Sequence, residues 1–339
     1  MNRLRTCLFS TPKNGWKIIW EINSKCNLSC LHCCTMPSVI NKEKEMTFDE
    51  IQNLFSKLSL LKIGKLVLTG GNPLLRRDFY KIASFVKSNI SEVSLCTNGT
   101  LITKRNITKF VKLEFSNITI GFDGAKPTTH DWFRGVKGAF KRTTNAIRLL
   151  REHNCPVTIH VTLHRRNFFE LPQIVNFAKK YGLKMNIGRI LPIGKAKVSI
   201  QDIDLTASQN KILKKVVKQV IETAPSLIST IRIPLGNEYS LQKCPAGKHI
   251  LGISASGKIS PCLFLKDIDS SFEKEVKGDI NTTIAMLRDK LENIKKNLLC
   301  SSCKAKCGGG CLASILSISN SNQEKESKYK VDPLCPIKE

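Results

Sequence analysis

Three cysteines on one short loop carry the first chemical signal. Cys26, Cys30 and Cys33 stand as C-x3-C-x2-C within Cys26-Asn27-Leu28-Ser29-Cys30-Leu31-His32-Cys33. Thiolates so spaced can hold three corners of a cubane iron–sulfur cluster and leave the fourth iron open to a small ligand. A structural zinc ion takes a closed set of ligands instead, which His32 or Cys34 would have to complete. The spacing favours iron–sulfur and leaves zinc open. A second set comes much later: Cys244, then Gly257-x4-Cys262, then Cys300-x2-Cys303-x3-Cys307-x3-Cys311, and finally Cys335 within Asp332-Pro333-Leu334-Cys335-Pro336. Taken alone, that set suits a zinc ribbon and further clusters equally well. Cys7, Cys34, Cys96 and Cys155 lie outside both sets. The default role of each is a small buried hydrophobe, although Cys34 and Cys96 fall at strand ends.

The elements that must position these groups alternate regularly. Strand-like runs at Lys17–Ile22, Lys65–Leu68, Val93–Cys96, Ile118–Ile120, Val157–Val161 and Lys184–Ile190 are separated by amphipathic helical stretches. Thr47-x-x-Glu50 and Thr206-x-x-Gln209 read as capping boxes that open two of the helices. Six β/α units predict parallel strands with helical crossovers, fewer than a closed barrel takes, hence an open, partial (β/α)6 TIM-like barrel of the α/β class. In such folds function gathers at the carboxyl ends of the strands. The cysteine loop sits there, as do the turns Gly70-Gly71-Asn72-Pro73, Thr97-Asn98-Gly99 and Gly121-Phe122-Asp123-Gly124. The chain divides into an N-terminal extension (1–15), the β/α core (16–200), a connecting helix and strand (201–239) and a small Cys-rich C-terminal domain (240–339).

Those motifs, in that order, resemble the radical S-adenosylmethionine (radical SAM) enzyme superfamily. The run His130-Asp131-Trp132-Phe133-Arg134-Gly135 with Gly138-Ala139-Phe140 resembles a stretch of its peptide- and tetrapyrrole-modifying branches. The resemblance implies a 4Fe–4S cluster on Cys26, Cys30 and Cys33. It also implies S-adenosylmethionine held near Gly70, Gly71, Asn72, Pro73 and Asn98, with His32 beside adenine and Arg134 able to pair with the methionine carboxylate. Asn72 stands where the family usually has Glu, and Gly121 where it usually has Ser. The late cysteines resemble the SPASM domain, which binds two auxiliary 4Fe–4S clusters. By order, Cys244, Cys262 and Cys311 would hold the first, and Cys300, Cys303, Cys307 and Cys335 the second. The spacing x3 between Cys303 and Cys307 is shorter than the family's usual one.

Composition narrows the function further. No apolar run is long enough to span a membrane, and the first residues lack an export signal, so a cytoplasmic protein is expected. Fourteen cysteines in a 339-residue chain without such a signal point to metal or catalysis rather than to disulfides. Lys and Arg outnumber Asp and Glu by 54 to 27. That basicity fits an acidic substrate, or a zinc-stabilised nucleic-acid-binding protein as an alternative of another class, or simply a solvated surface. Against nucleic acid stands an aromatic content of only 6%, with no basic run interleaved with aromatics. The resemblance makes modification of a ribosomal peptide or protein side chain the leading expectation. Side-chain decarboxylation or cleavage of a tetrapyrrole is the runner-up, which the Gly188–Lys197 stretch and the DPLCP ending also resemble. Expected partners are an electron donor such as ferredoxin or flavodoxin, the peptide or tetrapyrrole, and a separate peptide-recognition protein. Only about 15 residues precede the first strand, too few for a fused leader-binding domain.

Overall fold

Short β-branched runs bounded by turn residues become strands, and the amphipathic stretches between them become helices. The computed structural model describes residues 15–34, 44–231, 233, 244–296 and 311–319. Its first half runs β1 (Trp16–Glu21), α1 (Phe48–Leu58), β2 (Ile63–Thr69), α2 (Phe79–Asn89), β3 (Val93–Thr97), α3 (Ile107–Lys112), β4 (Asn117–Gly121), α4 (Pro127–Arg134), α5 (Ala139–Glu152), β5 (Val157–Leu163), α6 (Leu171–Tyr181) and β6 (Lys184–Arg189). Then come α7 (Lys195–Ile203), α8 (Ala207–Thr223), β7 (Ile228–Ile231), β8 (Ile250–Ile253), β9 (Ile259–Ser260), α9 (Leu263–Lys266), α10 (Ile280–Lys296) and α11 (Leu312–Ser319). Both capping boxes form, with Glu50 and Gln209 as the returning side chains.

The strands make one nine-stranded sheet in the order β7-β6-β5-β4-β3-β2-β1-β8-β9. Neighbours are parallel throughout except β8 with β9. The six-stranded β/α core is present, and the sheet grows beyond it at both edges. β7 pairs with β6, while β8 pairs with β1 from Lys17↔Ile250 to Trp20↔Ile253. An uncovered β1 would present unpaired backbone groups at a sheet edge. The cysteine-rich region supplies a strand to that edge, so it is joined to the core by a hydrogen-bonded ladder. Lys266 on α9 adds an ion pair to Glu21 of β1 at 3.2 Å.

Alternate residues of a strand face opposite sides of the sheet. Ile18, Trp20, Leu66, Leu68, Leu95, Ile118, Ile120, Ile159, Val161, Met185 and Ile187 all join the main apolar core with the helices. Their alternates, among them Lys17, Lys65, Ser94, Thr119, His160 and Asn186, line a cavity of about 770 Å³. Parallel sheets normally bury both faces and carry continuous apolar runs. A polar second face marks this one as the wall of a ligand site. Among the described residues, no helix is long and apolar enough to cross a membrane.

Candidate active site at the strand ends

The cysteine loop leaves β1 and is held from outside by α4. The last carbonyls of a helix lack intrahelical partners. Two of them are taken by the loop: Leu31 N–H donates to Phe133 O at 2.9 Å, and Ser29 N–H to Arg134 O at 3.2 Å. Gly135 ends α4 in the left-handed region (φ +70°), where a Cβ would stand 2.2 Å from Ser29 O. Asp131 then caps α5, accepting from Gly138 N–H at 2.6 Å and Phe140 N–H at 2.7 Å. The HDWFRG run is therefore a helix end shaped to grip the loop. Cys26, Cys30 and Cys33 all line the cavity, and they share one small apolar contact region with Leu28, Val136 and Ala139. His32 stacks on Phe133, with centroids 4.1 Å apart and rings 8° from parallel. Burial pushes the Cys26 and Cys30 thiols up, with the Arg134 charge pulling both the other way.

Asn72 answers one departure from the family. It is fully buried, behind the cavity wall, and sits in a network of side-chain amides. Its Nδ2 donates to Asn27 Oδ1 at 2.9 Å and to Asn98 Oδ1 at 3.2 Å, while its Oδ1 accepts from Thr97 Oγ1 at 2.9 Å. Asn98 Nδ2 also donates to Asn27 Oδ1 at 3.0 Å and reaches Cys26 Sγ at 3.9 Å. A carboxylate has no hydrogens to give to Asn27 and Asn98, so this network calls for the amide. Asn27 and Thr100, which donates its Oγ1 hydrogen to Asn98 Oδ1 at 2.8 Å, are site residues that motif reading passed over. Their only signal is adjacency to Cys26 and to the Thr97-Asn98-Gly99 turn. Pro73 is buried and lies outside the cavity lining, whereas Gly70, Gly71 and Asn98 face the cavity. A Cβ at Gly71 would lie 2.3 Å from Lys25 O, and one at Gly70 2.4 Å from Asn23 O. These glycines first let the turn press against the cysteine loop. Gly71→Ala is expected to shift that loop and weaken S-adenosylmethionine binding about tenfold or more, checked by equilibrium dialysis with iron content as control; one residue of backbone clash suffices for this.

Arg134 explains the second departure. A Cβ at position 121 would stand 1.9 Å from Arg134 Nη2, so the guanidinium occupies the space a serine would need. Its Nη2 pairs with Asp123 Oδ2 at 2.5 Å, and its Nη1 lies 3.9 Å from Cys30 Sγ. Asp123 is pinned on every side: its Oδ1 accepts from Thr162 N–H at 2.7 Å, its N–H donates to His130 Nδ1 at 3.2 Å, and its carbonyl accepts from Asn167 Nδ2 at 3.1 Å. Burial pushes the Asp123 carboxyl up while Arg134 draws it down; burial also opposes the Arg134 charge, but Asp123, Cys30 and Cys26 together outweigh it. His164 accepts from Arg166 N–H at Nδ1, which leaves its Nε2–H for Asp123 O, 3.2 Å away.

Burial pushes His130 down to about 2 and His164 down to about 3. An unfolded histidine takes up a proton near about pH 6.5. Below that value the unfolded chain binds protons that the native one refuses, so stability is full above it and is lost as pH falls. Unfolding free energy from urea titrations is expected to drop by about 1.4 kcal/mol per pH unit for each histidine between about pH 6 and 4. His164→Phe should flatten the slope; an unchanged slope would count against this origin.

In the second set, Cys244, Cys262 and Cys311 each pack against one apolar cluster that includes Leu191, Ile193, Ala246 and Leu265. Cys300, Cys303, Cys307 and Cys335 lie outside the described residues, as does Cys7. Among the described residues, no three His, Cys, Asp or Glu side chains gather about a single ion.

Comparison with known proteins closes the assignment. Residues 20–178 match the family model of the radical SAM superfamily. The chain is 27% identical over 331 residues to the AdoMet-dependent heme synthase of Methanosarcina barkeri, which covers 91% of this chain and 94% of that one. It is 27% identical over 252 residues to the mycofactocin maturase MftC of Mycobacterium tuberculosis, covering 73% and 64%. The fold matches crystalline Streptococcus suis SuiB bound to S-adenosylmethionine with a TM-score of 0.71 at 15% identity, covering 95% of this chain and 77% of that one. The thiol loop, the strand-end turns and these likenesses agree: residues 20–178 are a radical SAM domain, of a superfamily that implies a 4Fe–4S cluster and S-adenosylmethionine.

Proposed function

We propose that the protein cleaves S-adenosylmethionine reductively and uses the resulting radical on a carboxylate-bearing tetrapyrrole seated in the cavity. The observation that carries this reading is the meeting of three thiols and a polar, lysine-bearing sheet face in one cavity. Cys26, Cys30 and Cys33 would hold three irons of the cluster. Gly70, Gly71, Asn98 and His32 would wall the cofactor pocket, while Asn72 and Pro73 brace that wall from behind. When bound, the reduced cluster and cofactor supply a 5′-deoxyadenosyl radical that takes hydrogen from an unactivated carbon. Arg134 holds the loop and the β4 turn together and keeps a positive charge beside Cys30. Cys244, Cys262 and Cys311, and separately Cys300, Cys303, Cys307 and Cys335, would hold auxiliary clusters. An external low-potential donor of the ferredoxin or flavodoxin kind would deliver the electron.

Two observations put the tetrapyrrole first. Lys17 and Lys65 are register partners on β1 and β2 and both line the cavity, Lys65 ion-paired to Glu92, so they set positive charge in the wall that carboxylates would meet. The likeness to the heme synthase also runs end to end, whereas the maturase match covers 64% of that relative. The second reading, a peptide substrate, is supported by that maturase. Anaerobic assays with dithionite should show 5′-deoxyadenosine formation stimulated by a coproporphyrin-type tetracarboxylate, with loss of carboxyl mass from it. Stimulation by a Cys-rich peptide alone would favour the second reading, and no deoxyadenosine in any mixture would refute both.

A further inference from the structure

The nine described cysteines sort themselves by what they touch. Cys26, Cys30 and Cys33 pack with Leu28 and Ala139; Cys96 packs with Val67 and its neighbours; Cys155 lies in the main core. The remaining four, Cys34, Cys244, Cys262 and Cys311, all pack against the Leu191–Ile193–Ala246–Leu265 cluster. Cys34 lines the cavity beside Cys33, with its Sγ 3.7 Å from His32 O, and it also packs on the cluster that takes up thiols more than two hundred positions away.

The backbone around Cys34 brings this about. Lys195 N–H donates to Cys33 O at 2.9 Å, and a Cβ at Gly194 would stand 2.3 Å from Cys34 O. The segment after β6 is therefore pressed onto the Cys33–Cys34 pair, and its Leu191 and Ile193 form the shared cluster. Ser317 Oγ donates to Pro192 O in the same segment, which ties α11, and Cys311 just before it, to this spot.

We propose that Cys34 is the fourth thiolate ligand of the auxiliary cluster on Cys244, Cys262 and Cys311, an inference that rests on the auxiliary-cluster reading above. One cysteine run would then serve two clusters, as in ferredoxins, although there the shared run separates the two sets by three residues and here Cys33 and Cys34 are neighbours. Full thiolate ligation leaves that cluster no iron for substrate, so its role is electron transfer.

The test compares anaerobically reconstituted full-length protein, Cys34→Ala, Cys34→Ser and a Cys244→Ala/Cys262→Ala/Cys311→Ala triple variant by iron, sulfide and EPR. Both Cys34 variants should lose about four irons and four sulfides per chain, or show an altered auxiliary EPR signal. The first cluster's EPR change on adding S-adenosylmethionine should persist in both. If the triple variant loses a cluster that both Cys34 variants keep with unchanged spectra, Cys34 is not a ligand. If the triple variant matches the native protein in iron and spectra, the auxiliary-cluster reading itself fails and this proposal with it.

Discussion

Cys33→Ala protein is expected to form 5′-deoxyadenosine at least about a thousandfold more slowly than the native chain, a barrier increase of about 4 kcal/mol. The protein supplies three sulfurs to the first cluster on this reading, and a cubane held by two leaves the cofactor without a fixed iron to meet. Cys33 is the cleanest of the three positions to change. Cys30 is buried against Leu28 and Ala139, so its removal would also cost packing, whereas Cys33 is only half-buried at the cavity wall. Iron and sulfide should fall together, with near-native far-UV circular dichroism. Native-like deoxyadenosine yields from this variant would dismiss the assignment of the loop.

The largest stability effect is expected at Arg134. Arg134 and Asp123 are 8% and 0% exposed, so each charge depends on the other. Removing one partner of a buried pair typically costs about 3–5 kcal/mol, because the remaining charge is left without compensation. Arg134→Met should show that loss in urea unfolding. Adding Asp123→Asn should recover part of it by removing the stranded carboxylate. Gly121→Ser should be costly in the native chain and tolerated beside Arg134→Met, since the three atoms nearest to a Cβ there all belong to the guanidinium. Equal destabilisation by the single and double variants at 134 and 123 would place the effect in packing instead of charge.

The β/α frame was legible because its signals are local. Val93–Thr97 and Val157–Leu163 announce themselves by branched residues between turns, and Thr47 and Thr206 by their boxes. Helix α4 was not, because His130, Asp131 and Arg134 carry it with little apolar periodicity, and its stop at Gly135 serves the distant Ser29. β8 was hidden for a similar reason. Its four residues, Ile250–Ile253, include a glycine, and only the open edge of β1 makes them a strand.

By itself, the order of residues determined the thiol loop, the turn after each strand and the repeated β/α pattern, since each depends on neighbours a few positions apart. Tertiary structure alone decided that Asn72 belongs among Asn27 and Asn98, that Arg134 fills the space at Gly121, and that Cys34 and Cys244 pack against one apolar cluster. Those choices rest on contacts across many tens of residues, where the energies of burial and hydrogen bonding act only after the loops have closed.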